Sequence, residues 1–327
     1  MRRFVGVALL AVAAVACGSG SKGGGSTGDP NAVPLMAGFN PGPAPDPSQG
    51  FQIIMPIVTD IPAGGSQEYC TDTNVILPTD AWFDASQGFQ TETGHHVVFF
   101  YTPTPVAPST HVCANDEMGE FQFGMPASGG PAGGMFTLPG NLAVHLPAGS
   151  QIIVNHHYLN ASATDVPQAQ SAINIYYADP TVPHTTSSSM IVVDTNLTVP
   201  VGASTFTEDC TVNQDYQAWM QLPHMHAWGT HITITDTPAA TGVAAQLFDM
   251  DWQADYAFDF NSVATKEEPT APFLFKKGDK IHVECDYMNT TGAEMTFGDE
   301  MCVMAAFTVD PNNVGNVACD GGQWGAY

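Results

Sequence analysis

From Phe51 onward the chain is cut into short β-rich runs by clusters of turn-forming residues, and no stretch carries the spacing of a long amphipathic helix. The runs begin near residues 51, 68, 95, 150 and 173. After the Pro- and Ser-rich break at 178–189, they resume near 190, 216, 230, 273, 280 and 301. Strands this short and this numerous must pair antiparallel and stack face to face, and 32 Gly and 25 Pro supply the turns. The expected fold is all-β: two tandem antiparallel β-sandwich (jelly-roll-like) domains, 51–182 and 190–319. A chain of 327 residues with 44% apolar side chains is long enough to fill two cores.

The N-terminus reads as a processing signal. Arg2 and Arg3 precede an apolar run, Phe4 to Ala16, that is too short to span a bilayer, and Ala14-Val15-Ala16 leads into Cys17. Residues 1–17 are therefore expected to be a lipoprotein signal with Cys17 as the lipidated residue. The Gly/Ser- then Pro-rich stretch 18–50 is expected to be a flexible tether. An exported lipoprotein of a bacterium, held at the outer membrane or cell surface through Cys17, is the localisation this implies.

Charge removes whole classes of partner. Asp and Glu number 32 against seven Lys and Arg, two of which lie in the leader, and no Lys or Arg occurs between Lys22 and Lys266. Gripping phosphates takes dense cationic contacts, so nucleic acid is excluded. The acidic field attracts cations instead. Apart from Cys17 there are six cysteines: Cys70, Cys113, Cys210, Cys285, Cys302 and Cys319. An even number in an exported chain argues for three disulfides, with fifteen pairings open, and the absence of any C-x-x-C pair argues against a zinc ribbon.

The histidines carry the candidate chemistry. His224-Met225-His226 lies on a strand-like segment, where residues two apart face the same way and can share one metal ion. His95 and His96 are adjacent, so they can share an ion only where the strand is bulged or twisted. Asn155-His156-His157-Tyr158 closes another strand. Met301 is available as a thioether partner for His224 and His226, and histidine with a thioether selects copper.

Together, G-H-H at 94–96, V-N-H-H-Y at 154–158, L-P-H-M-H-x-x-G at 222–229 and G-D-E-M-C at 298–302 resemble the copper type II ascorbate-dependent monooxygenases. That family includes the peptidylglycine α-hydroxylating and dopamine β-monooxygenases. The resemblance runs from about Phe51 to Cys319. It implies two copper ions per chain, one on His95, His96 and His157 and a catalytic one on His224, His226 and Met301, with His156 facing away. It also implies disulfides Cys70–Cys113, Cys210–Cys319 and Cys285–Cys302. The function implied is hydroxylation of a C–H bond with O2 and ascorbate or another one-electron reductant, by a monomer acting on a small molecule. Leu222, Val303 and Ala305 stand where peptide-amidating members hold a substrate carboxylate, so a neutral or cationic substrate is expected. The alternative is a copper-binding or electron-transfer lipoprotein of the same fold without catalysis.

Overall fold

A computed structural model of the protein describes residues 33–114, 117, 121–257 and 263–326. Cys17, the leader and tether residues 18–32 lie outside the described residues.

The fold is all-β. No α-helix occurs among the described residues, and helical geometry is confined to 3-10 turns at Glu117 and Ala254–Ala257. Alternation decides which face each strand buries. In Gly229–Thr237 and Lys280–Asn289, Ile232, Ile234, Ile281, Val283, Cys285 and Tyr287 point inward while their neighbours face solvent. These strands, with Gly202–Thr211 and Ala245–Asp251, form a four-stranded sheet. It packs on Thr185–Val193, Val303–Val309 and Tyr216–His224 through a core that includes Met190, Val192, Met304 and Ala306. This is the C-terminal sandwich.

In the N-terminal sandwich a five-stranded sheet runs in the order Ser109–Val112, Gly65–Ile76, Gln151–Asn160, Gly94–Thr102, Gln122–Ser128. Val97, Phe99, Ile152 and Val154 from this sheet meet Phe83, Val144, Ile173 and Ile175 from the strands Ala81–Gln90, Leu142–Leu146 and Ser171–Tyr177. The two sandwiches share backbone. Leu142–Leu146 pairs in parallel with Thr185–Val193, at Thr185↔Leu142 and Thr186↔Ala143, so one twelve-stranded sheet runs through both halves. Trp219, Leu222 and Phe307 of the second half extend the first half's core across this seam.

Three disulfides brace the structure, Cys70–Cys113, Cys210–Cys319 and Cys285–Cys302. Residues 33–49, read from composition as tether, are instead seated on the first sandwich. Gln170 bonds the Pro34 carbonyl at 2.9 Å and the Met36 amide at 2.7 Å, and Asn174 bonds the Pro43 carbonyl at 3.0 Å. Proline has no N–H to give to a strand ladder, so this segment is held by side-chain amides that bond its carbonyls and the Met36 N–H.

Candidate metal centre

The site begins with a break in register. His96 stands opposite His157, but the next pair is Gly94 with Tyr158, so the register shifts at His95, whose carbonyl accepts from Gly129 N at 3.2 Å on the other side. A bulge of this kind turns one side chain out of the pleat. It brings adjacent His95 and His96 within 4.8 Å, ring centre to ring centre, and both within about the same distance of His157, at 5.0 and 5.1 Å. Gly129 permits this packing, because a Cβ there would fall 2.6 Å from the His95 carbonyl group.

The second half supplies the other side. His224 ends the strand Tyr216–His224, and His226 follows in the loop. Their rings lie 5.2 Å apart, and His95 is 5.2 Å from His224 and 4.7 Å from His226. The result is one cluster of five imidazoles rather than two separated ligand sets. Two triads of ring nitrogens close to within 4.8 Å, His95/His96/His157 and His95/His224/His226, and His95 belongs to both. His95, His157 and His226 have no solvent exposure and His224 has 6%.

Three of the five rings turn one nitrogen outward to an amide or backbone oxygen. His95 Nδ1 faces the Ala257 carbonyl, and His226 Nδ1 lies 3.0 Å from the Asp299 carbonyl. His96 Nε2 lies 2.9 Å from Asn155 Oδ1, whereas His157 Nδ1, 3.5 Å from Glu68 Oε1, makes no hydrogen bond. A neutral imidazole that donates from one nitrogen carries its lone pair on the other. Burial keeps the rings neutral: it pushes His96 and His226 down to about 4 and His95, His157 and His224 well below the usual histidine range. Both ring nitrogens of His157 and Nε2 of His226 are buried without a hydrogen-bond partner.

Met301 lies in the loop that carries Asp299 and Glu300. Its backbone N–H donates to Glu300 Oε2 at 3.1 Å, and its carbonyl accepts from the Tyr287 hydroxyl at 2.9 Å. The remaining histidines are engaged elsewhere. His156 bonds Thr71 and Tyr158 inside the first core. His111, His231 and His282 pair with Glu117, Asp249 with Asp251, and Asp209. His145 and His184 lie against the Trp82 ring. Leu222 is buried in the seam core, and Val303 stands opposite His224. Sequence reasoning missed the residues that hold the rings, namely Asn155, Ala257, Asp299 and Glu300. Asn155 had a signal inside V-N-H-H-Y, and Asp299 and Glu300 had one as the two acids inside G-D-E-M-C.

Fold and site together define an all-β double sandwich with a buried histidine cluster at the junction of its halves. No protein-family model and no curated protein matches the chain. Solved structures that match include the major capsid protein P2 of bacteriophage PM2, at 10% identity and TM-score 0.34, over 79% of this chain and 97% of that one. The STIV MCP matches at 13% identity and TM-score 0.31, over 79% and 96%. These likenesses are too slight to lend this chain a capsid protein's role. The comparisons nevertheless overturn the expected family. No family model or curated protein supports a copper monooxygenase, and the solved structures that match include viral capsid proteins, so the monooxygenase activity, its small-molecule substrate and the monomeric enzyme are withdrawn. The physical reason the motifs misled is that short His-x-His and His-His spacings report that a metal can be held. They do not report what is done with it.

Proposed function

We propose that the chain is an exported, lipid-anchored metal-binding protein that holds a first-row transition-metal ion, copper or zinc, in the five-histidine cluster. The observation that carries this reading is the orientation of the rings. The Asp299 carbonyl takes His226 Nδ1, and His226 Nε2 and both ring nitrogens of His157 are left buried without a hydrogen-bond partner. A buried group of acceptors facing one another is unfavourable until a cation fills it, and an oxygen acceptor behind each imidazole is the usual support for a metal ligand. Imidazole donors favour copper and zinc over magnesium or calcium.

One ion per chain is the favoured loading. His95 is common to both triads, and with Nδ1 turned to Ala257 it has one nitrogen to offer. The ligands come from both sandwiches, so the bound ion is also a cross-link between them. The lipoprotein signal ending at Cys17 and three disulfides in one chain support an oxidising, extracytoplasmic setting.

Equilibrium dialysis of the metal-stripped protein against Cu(II) and Zn(II), followed by elemental analysis, tests the reading. Close to one tightly held equivalent per chain is expected, lost in a His157→Ala/His226→Ala double variant. Substoichiometric uptake of both ions, or equal uptake by the double variant, would overturn it.

A further inference from the structure

Glu300 is fully buried, and no Lys or Arg occurs in the sequence between Lys22 and Lys266. Its partners are backbone amides. Oε2 accepts from His226 N at 3.0 Å and from Met301 N at 3.1 Å, and Oε1 accepts from Trp228 N at 2.7 Å. One carboxylate thus ties the loop after the Tyr216–His224 strand to the loop before Val303–Val309. Charge-assisted bonds of this kind are short and strong, and burial without them would be costly for the anion.

The effect converges on one side chain. His226 gives its N–H to Glu300, accepts at its carbonyl from Trp252 Nε1 at 2.9 Å, and turns Nδ1 to the Asp299 carbonyl at 3.0 Å. Every polar atom of His226 except Nε2 is committed, and two of the three commitments run through the 299–300 dipeptide. We infer that Glu300 is a positioning residue of the metal centre, whose carboxylate fixes the loop that aims His226 Nε2 at the cluster. This rests on the metal-binding reading for its purpose, but the hold on the loop is a property of the metal-free protein.

Glu300→Gln is the informative variant. The side-chain amide keeps the shape, but it sets an NH2 against one or more backbone N–H donors, so the loop is released while the sandwiches stay paired. In the metal-free wild type, the amides of His226, Trp228 and Met301 should exchange with deuterium as slowly as core strand amides. In Glu300→Gln that protection should fall at least tenfold with the far-UV spectrum unchanged. Metal affinity should fall 10- to 100-fold, and the visible spectrum of the Co(II)-loaded protein should shift, which a merely structural residue would not cause. Wild-type amides at 226, 228 and 301 that exchange like exposed loops would overturn the inference even if the variant does not fold. So would an unaltered affinity and Co(II) spectrum in a folded variant. If wild type binds no metal, the reading of the centre fails on its own, and the exchange data still decide whether Glu300 holds the loop.

Discussion

His95 is where the account is most exposed, because both nitrogen triads contain it. Replacing it by alanine removes a fully buried ring and leaves the Ala257 carbonyl without that partner. Losing a buried hydrogen-bond partner costs on the order of 1–3 kcal/mol. Part of that is offset because fewer neutral rings are left facing one another, so the metal-free variant should stay folded with a modestly lower Tm. The larger change comes with metal. An ion present at a hundred times its Kd stabilises the folded state by about 2.7 kcal/mol. With an unfolding entropy of about 2.1 cal/mol/K per residue over roughly 300 folded residues, wild type should gain about 4 °C. His95→Ala should gain almost nothing, because neither triad closes without it. Differential scanning calorimetry with and without Zn(II) measures both numbers. A variant that keeps most of the metal-dependent rise would show that His95 is not shared and that the two triads are independent sites.

Other expectations follow from the surrounding bonds. Asn155→Leu removes the acceptor behind His96 and the contact to Cys113, and should weaken metal binding 10- to 100-fold in a competition titration while the sandwich stays intact. Breaking Cys285–Cys302, which closes a loop of 17 residues beside Glu300 and Met301, should cost about 3 kcal/mol in denaturant unfolding. Burial and the neighbouring Asp279 push Asp236 up to about 6, and burial pushes Glu208 up to about 7. Both values lie above those of the unfolded chain, so the stability they contribute is complete at about pH 4 and is lost as pH rises through 6 to 7. Unfolding midpoints should therefore fall between about pH 4 and 7. Asp236→Asn should flatten that fall by up to about 3 kcal/mol, and an unchanged slope would refute the assignment.

Much of the fold was legible because a strand with one buried face must alternate, and Gly229–Thr237 and Lys280–Asn289 do so plainly. Gln151–Asn160 was harder, since all ten of its residues are buried and its polar side chains sit in the interior. The parallel pairing at Thr185 that merges the halves into one sheet left no mark, because register between distant strands is set by tertiary packing. At the site, the spacing of His224 and His226 pointed to a shared ligand role, and adjacent His95 and His96 posed a condition, a bulge, that the structure meets. That His95 reaches the second half's histidines could not be read from either motif alone. The carbonyls of Ala257 and Asp299 could not be read at all, since any residue supplies a carbonyl. The family resemblance carried the motifs further than they warranted, by attaching a reaction to residues that define only a donor set.

The most direct test of the central claim is to locate the ion itself. Anomalous diffraction from crystals of the Cu- or Zn-loaded protein, recorded on both sides of the metal's absorption edge, should give one strong peak per chain. That peak should lie about 2.0–2.1 Å from imidazole nitrogens and include a nitrogen of His95 or His226. A peak confined to surface pairs such as His231 with Asp249, or no peak inside the cluster at full loading, would contradict the account.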